Sequence, residues 1–178
     1  MARVAEQAER FEEMVEFLKA AVALKSGEDF TIDERNLLSV GFKNLIGSQR
    51  GAIRTIGAIE QNPKYTKFND ALQTYKKQIM KELYNRCIQI VNIVKQKCLQ
   101  LSVDDESKAF FYKMIGDYYR YVAESSEDST LQEVKNGALE GYKQSQTHCN
   151  TLSACNPIRL GLALNFSVFH YEVMNDHK

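Results

Sequence analysis

The chain has 178 residues, enough for one domain that hides most of the apolar surface its unfolded form would expose. Apolar residues make up 44% and charged residues 26%, which excludes a fibre or a disordered chain, and two prolines with nine glycines leave too little turn material for an all-β protein. Lys plus Arg and Asp plus Glu each number 23, so the formal net charge is zero; neither nucleic acid nor a membrane is expected as a partner, and any anion site has to be local.

In chain order, residues 2–26 set charges against Ala, Val, Phe, Met and Leu at helical spacing, which predicts one or two short helices bending near Arg10. Thr31-Ile32-Asp33-Glu34 is a capping box and starts a helix that runs through Leu37, Phe42, Leu45, Ile53 and Ile59 until Asn62-Pro63 stops it. From Phe68 an apolar series at Leu72, Tyr75, Ile79, Leu83, Ile90, Val94 and Leu101 predicts a long helix of about nine turns. Ser102 to Asp105 caps the next one, with a buried face expected at Phe110, Met114, Tyr118 and Val122. After a polar break at Ser125 to Asp128, Thr130-Leu131-Gln132-Glu133 reads as a second capping box ahead of Val134, Ala138, Leu139 and Tyr142. Asn156-Pro157 opens a mostly apolar last helix, Ile158 to about Met174. The sum is an all-α antiparallel array of about seven helices with short loops, and no repeat near ~34 residues points to a solenoid.

The charged N-terminus has no signal-peptide core, and no stretch reaches the ~20 apolar residues of a membrane span, so the cytosol is the expected compartment. Cys87, Cys98, Cys149 and Cys155 show no C-x-x-C spacing and are expected as packed apolar groups. His148, Cys149, Cys155 and His170 fit no zinc pattern, so no metal is expected. The absence of a nucleophile elbow, a phosphate-binding glycine loop or a His-Glu metal motif argues against an enzyme and against a cofactor.

Glu34-Arg35-Asn36-Leu37-Leu38-Ser39-Val40, Gly116-Asp117-Tyr118-Tyr119-Arg120-Tyr121 and the run from Asn156 to Phe169 are three segments similar to the 14-3-3 family. Ala5-Glu6-Gln7-Ala8-Glu9-Arg10 adds a fourth, and the resemblance covers the whole chain. It implies one 14-3-3-like domain over residues 1–178, C-terminally short, with the last two of the family's nine helices missing. It also implies an adaptor that holds phosphoserine or phosphothreonine segments of client proteins in an amphipathic groove, as a homodimer or a mixed dimer. Carried over by position, the phosphopeptide site comprises Lys43, Arg50, Arg54, Lys113, Arg120 and Tyr121, with Leu164, Asn165 and Val168 on the opposite wall. The implied dimer contact joins Val4, Ala8, Arg10 and Phe11 of one subunit to Tyr75 and Glu82 of the other.

The chemistry of these residues is compatible with that role. Lys43, Arg50 and Arg54 stand at i, i+7 and i+11, on one helical stripe, with no acid between Lys43 and Ile59 to neutralise it in cis. An anion or a carboxylate from another helix has to come near. Arg120 has Asp117 at i−3 and Glu124 at i+4, either of which can hold its guanidinium. The plain alternatives are a solvated face for Lys43 and Arg50, an internal salt bridge for Arg120 beside a core Tyr121, and core packing for Leu164 and Val168.

There are departures from the family pattern. Gln78 replaces a Lys that pairs with the acid at the position of Glu13, which leaves Arg10 with Glu82 as the remaining inter-subunit pair; Ile53 replaces an aromatic, and Gln49 a basic residue beside Arg50. A chain ending at Lys178 would leave the groove open on one side and the last helix with an apolar patch, so a phosphate-independent helical scaffold is the competing expectation.

Overall fold

In the computed structural model, which describes residues 1–126 and 128–176, the ordered elements are helical. They are α1 (Ala2–Gln7), α2 (Phe11–Leu24), α3 (Ile32–Glu60), α4 (Asn69–Ile93), α5 (Leu99–Leu101), α6 (Asp105–Ala123), α7 (Asp128–Cys149) and α8 (Pro157–Glu172). A π-helical turn, Val94–Cys98, joins α4 to α5, so these three pieces run on as the long helix expected from the apolar series. The described residues thus make an array of seven helical rods, as the spacing predicts. No helix among them is long and apolar enough to cross a membrane.

The bend near Arg10 has a local cause. Glu9 takes a left-handed backbone conformation (φ 55°), and the Arg10 N–H donates to the Ala5 carbonyl, which ends α1 and turns the chain into α2. Both halves of the first capping box form: the Glu34 N–H donates to the Thr31 hydroxyl and the Thr31 N–H to the Glu34 carboxylate. The second does not, because α7 begins at Asp128 and Thr130 lies within its first turn. Of the polar break before it, Glu127 lies outside the described residues. Asn156 caps α8 as expected, its side chain accepting from the N–H groups of Ile158 and Arg159, with Pro157 at the first helical position. That helix ends at Glu172, two residues short of the predicted end.

α6 is the central element. Its buried face is much wider than the predicted one: Met114, Tyr118 and Val122 are buried, but so are Ala109, Phe111, Ile115, Asp117, Arg120, Tyr121 and Ala123. Phe110 is only half-buried, and Phe111 takes the inner position. The reason is that α6 has neighbours on several sides, α3 and α4 on one and α7 and α8 on the other, so a single apolar stripe cannot describe it. α6 and α7 approach so closely that glycine is needed at the crossing. A Cβ on Gly141 would stand 2.7 Å from the Gly116 nitrogen and 3.1 Å from the Tyr112 carbonyl oxygen.

The cysteines divide. Cys87, Cys98 and Cys149 are buried, as expected, whereas Cys155 is exposed in the loop before α8. Burial pushes the Cys87 and Cys98 thiols up to about 12.

The α2–α3 loop is tied to the start of α6 by Asp29, whose carboxylate accepts from the Ser107 hydroxyl (2.7 Å) and from the N–H groups of Val103 (2.7 Å) and Phe30 (2.6 Å). Partial burial favours the protonated form, but these donors outweigh it and hold the carboxyl below its usual value of 3.8. A depressed folded-state pKa means stability that is present above the unfolded value and lost as pH falls through the folded one. Asp29→Asn is therefore expected to lower stability at pH 7 by about 1–3 kcal/mol. Urea titrations of the two proteins should converge as the pH drops below about 4. A gap that stays constant down to pH 2 would mean that the charge of Asp29 contributes nothing.

Candidate functional site

The site is assembled from α3, α6 and α8, with α7 supporting it from behind. On α3, Lys43 is exposed and makes no ion pair among the described residues. Two turns on, Arg50 leans across to α6, where its Nη2 reaches both oxygens of Glu124 at 2.9 and 3.2 Å. The basic stripe that lacks an acid in cis is thus relieved by a carboxylate from another helix. Arg54, a further turn on, is exposed and donates back to the Arg50 carbonyl (3.4 Å), so the structure does not bring it to the cluster.

On α6, Arg120 is almost enclosed, with 7% of its side chain exposed. Its Nη1 donates to Glu124 Oε1 (2.7 Å), its Nε to the Tyr142 hydroxyl (3.0 Å), and its Nη2 stands 3.8 Å from Asp117 Oδ1. Arg50 and Arg120 therefore converge on one carboxylate. Both also lie over the ring of Tyr121, with the Arg50 guanidinium 3.9 Å and the Arg120 guanidinium 4.6 Å from its centroid. Burial works against the charge on Arg120, but Tyr142 and Asp117 outweigh it and raise the pKa further, so this guanidinium is cationic at any working pH. Burial likewise raises the Tyr121 and Tyr142 phenols, which stay protonated and able to donate.

Asp117 is the hub on the other side. Its Oδ2 accepts from Lys113 (2.7 Å), and its Oδ1 accepts from the Tyr142 hydroxyl (2.7 Å) and from the Asn165 amide on α8 (2.7 Å). One carboxylate thereby links the cationic cluster to the last helix. A small cleft opens between α3 and α6 beside it, lined among others by Ser39, Lys43, Lys113, Asp117, Tyr118 and Tyr121. On α8, Phe166 and Phe169 pack on the Tyr142 ring, with centroids 5.2 and 5.6 Å away. This leaves Leu164 63% exposed and Val168 half-buried, so Leu164 is not a core residue.

The sequence had named most of this cluster, including Asp117 and Glu124 as candidate holders of Arg120. It placed Tyr142 with the apolar residues of the following helix and not in the cluster, because a partner 22 residues from Arg120 on a different helix carries no local signal. Nor did it show that Glu124 serves Arg50 as well.

Asp117, Arg120, Tyr121 and Asn165 lie within the segments that carry the resemblance, and the family model described as 14-3-3 protein matches residues 1–178. The chain belongs to the 14-3-3 family. It is 45% identical to 14-3-3 protein 5 of Solanum lycopersicum, a match covering 98% of this chain and 70% of the relative. It is 42% identical to 14-3-3 protein 2 of Entamoeba histolytica, over 99% of this chain and 74% of the relative, and 44% identical to 14-3-3-like protein F of Nicotiana tabacum, over 98% and 70%. Membership supports an adaptor that binds client proteins and a tendency to dimerise.

For this 14-3-3 chain, the residues carried over for the dimer contact lie largely at the surface. Val4 and Tyr75 are exposed large apolar groups, Ala8, Arg10 and Glu82 are exposed, and Phe11 is half-buried. Within one subunit Arg10 is already held by Glu13, three residues on, and Glu82 accepts a long bond from Gln78 (3.4 Å). An Arg10–Glu82 pair across subunits would thus have to displace a local one.

Proposed function

We propose that this protein holds phosphoserine or phosphothreonine segments of client proteins, with the phosphate among Lys43, Arg50, Arg120 and Tyr121 and the segment running toward Asn165, Leu164 and Val168. What supports the reading is the convergence of Arg50 and Arg120, from separate helices, on a single acidic group beside the unpaired Lys43. A phosphoester brings about −1.5 to −2 charge and three acceptor oxygens, which suits two guanidinium forks, an ammonium and a phenol. Lys113 and Asn165 both donate to Asp117, and Lys113 lines the cleft beside it. Arg54, turned back to the Arg50 carbonyl, is given no contact to the phosphate in this reading.

The segment 1–178 acts as one unit in this reading, and Val4, Ala8, Phe11 and Tyr75 form the apolar part of a dimer contact. The cytosol, which keeps free thiols reduced, suits its four cysteines without a disulfide. No catalysis is assigned to it.

Fluorescence anisotropy with one labelled peptide, phosphorylated and plain, tests the proposal. The phosphorylated form should bind at least about 100-fold more tightly, because two or more charge-assisted hydrogen bonds are worth about 1.5–3 kcal/mol each. Lys43→Glu should remove most of that difference. A phosphate-independent scaffold is the second reading, since Glu124 already pairs with both arginines; equal affinities for the two peptides would decide for it.

A further inference from the structure

We propose that the corner between α3 and α4 is a peripheral docking surface for an anionic lipid bilayer, with Lys64, Lys67, Lys77 and Lys81 toward the headgroups and Phe68 at the apolar boundary. This surface shares no residue with the phosphopeptide site proposed above.

The chain is neutral as a whole, but its charges are unevenly spread. Residues 62–81 hold five lysines and a single acid, Asp70, so this stretch is strongly positive and the remainder of the chain carries the opposite excess. Lys76 is neutralised by Glu60 of α3 (2.7 Å). Lys64, Lys67, Lys77 and Lys81 are exposed and make no ion pair among the described residues. Glu82 follows Lys81 in the chain but projects about 100° round the helix from it. There it accepts a bond from Gln78 (3.4 Å).

Local geometry fixes how these groups are presented. Pro63–Phe68 is a 3₁₀-helical turn, held by the Asn62 side chain, which accepts from the Lys64 N–H (3.0 Å), and by the Thr66 hydroxyl, which donates to the Pro63 carbonyl (2.9 Å). With about three residues per turn, side chains at i and i+3 eclipse. Lys64 and Lys67 therefore form one row, and Tyr65 and Phe68 the row beside it. Each ammonium folds over the ring that follows it, Lys64 5.7 Å from the Tyr65 centroid and Lys67 4.9 Å from that of Phe68. Phe68 is 49% exposed. On α4, Lys77 and Lys81 stand one turn apart, on the side away from the buried Ile79.

A row of lysines beside a row of aromatic rings suits the surface of an anionic bilayer. The rings lodge at the level of the headgroups, and the ammonium groups reach outward along their aliphatic stems to the lipid anions. An acidic polypeptide needs only the lysines and leaves Phe68 in water. A nucleic-acid strand would stack its bases on the rings, but one face of each is already covered by an ammonium.

Vesicle sedimentation tests the proposal, comparing phosphatidylcholine alone with phosphatidylcholine containing phosphatidylserine, with thermal melts of every variant. The four lysines less Asp70 should give about 100-fold tighter binding to the anionic vesicles, a difference that high salt removes. Lys64→Glu with Lys67→Glu should bring the affinity down to that for phosphatidylcholine alone. Lys97→Glu with Lys143→Glu, the same charge change at exposed positions on other parts of the fold, should keep most of it. Phe68→Ser should weaken vesicle binding by about 10-fold. Equal binding to both kinds of vesicle, or equal losses in the two double variants, would overturn the inference. Tighter binding to poly-glutamate or to an oligonucleotide than to the anionic vesicles would also overturn it, in favour of a protein or nucleic-acid partner. Should a double variant not fold, the wild-type comparison of the two vesicle compositions decides alone. Phosphopeptide affinity is read in parallel and should be the same in Lys64→Glu with Lys67→Glu as in the wild type, so failure in the vesicle assay leaves the phosphopeptide reading intact.

Discussion

Arg120→Ala is expected to lose phosphopeptide binding by more than about 100-fold and to lower folding stability by about 3–5 kcal/mol. The two losses have one origin. Among the described residues the guanidinium is the only cation within salt-bridge distance of both Asp117 and Glu124, and its Nε is also the partner of the Tyr142 hydroxyl. Removing it leaves these partly buried carboxylates with one cation each, Arg50 on Glu124 and Lys113 on Asp117, and strips the Tyr142 hydroxyl of its donor, which is the costly way to break a buried network. Burial of the pair by itself stabilises little, so the loss measures the charge left behind more than the bond removed. Arg50→Ala separates the effects. Arg50 is more open, so its loss should reduce binding by a similar factor while a urea melt moves much less. If both variants melt alike and both still distinguish phosphorylated from plain peptide, the cationic cluster is not the phosphate site.

Gly141→Ala is expected to destabilise the protein by about 1–3 kcal/mol, although alanine is the better helix former. At an exposed helical position this substitution would be worth up to about 1 kcal/mol in the opposite direction. Here the added methyl would meet backbone on α6, 2.7 Å from the Gly116 nitrogen and 3.0 Å from its Cα, and backbone cannot rotate aside as a side chain can. The helices have to separate. Because α7 carries Tyr142 one residue further on, separation also draws its hydroxyl away from Arg120 and Asp117, so the melt should be accompanied by weaker phosphopeptide binding. Gly51→Ala is the matched control: an added Cβ there meets nothing within 4 Å, and the substitution should be neutral or stabilising. A stable Gly141→Ala protein with unchanged binding would show that the crossing can relax without disturbing the cluster.

Much of the fold can be read from the chain because its signals are local. Thr31 with Glu34, Asn156 with Pro157, and Asp104 satisfy backbone groups within a few residues of themselves, so their chemistry is visible in a short window. The same logic misled at Thr130, where the pattern is present but the helix had already begun at Asp128. Nothing in Thr130-Leu131-Gln132-Glu133 records how far upstream α7 can extend; that depends on where the turn after Ala123 lets it meet α6. The buried face of α6 was underestimated for a related reason. Periodicity reports one apolar stripe, whereas a central helix also buries polar side chains such as Asp117 and Arg120 once partners on other helices satisfy them.

The sequence by itself determined the helical class, most of the helix boundaries and, through its resemblance, which cations and which polar residue of the last helix to watch. Only the tertiary structure decided how they meet: that Glu124 bridges Arg50 and Arg120, that Tyr142 couples Arg120 to Asp117, that Asp117 holds Asn165, and that Arg54 stays outside. The physical reason is range. A helix and its caps are set by hydrogen bonds spanning a few residues, while a shared carboxylate between α3 and α6 joins groups 74 residues apart, and which acid a buried guanidinium meets is settled by how the helices pack.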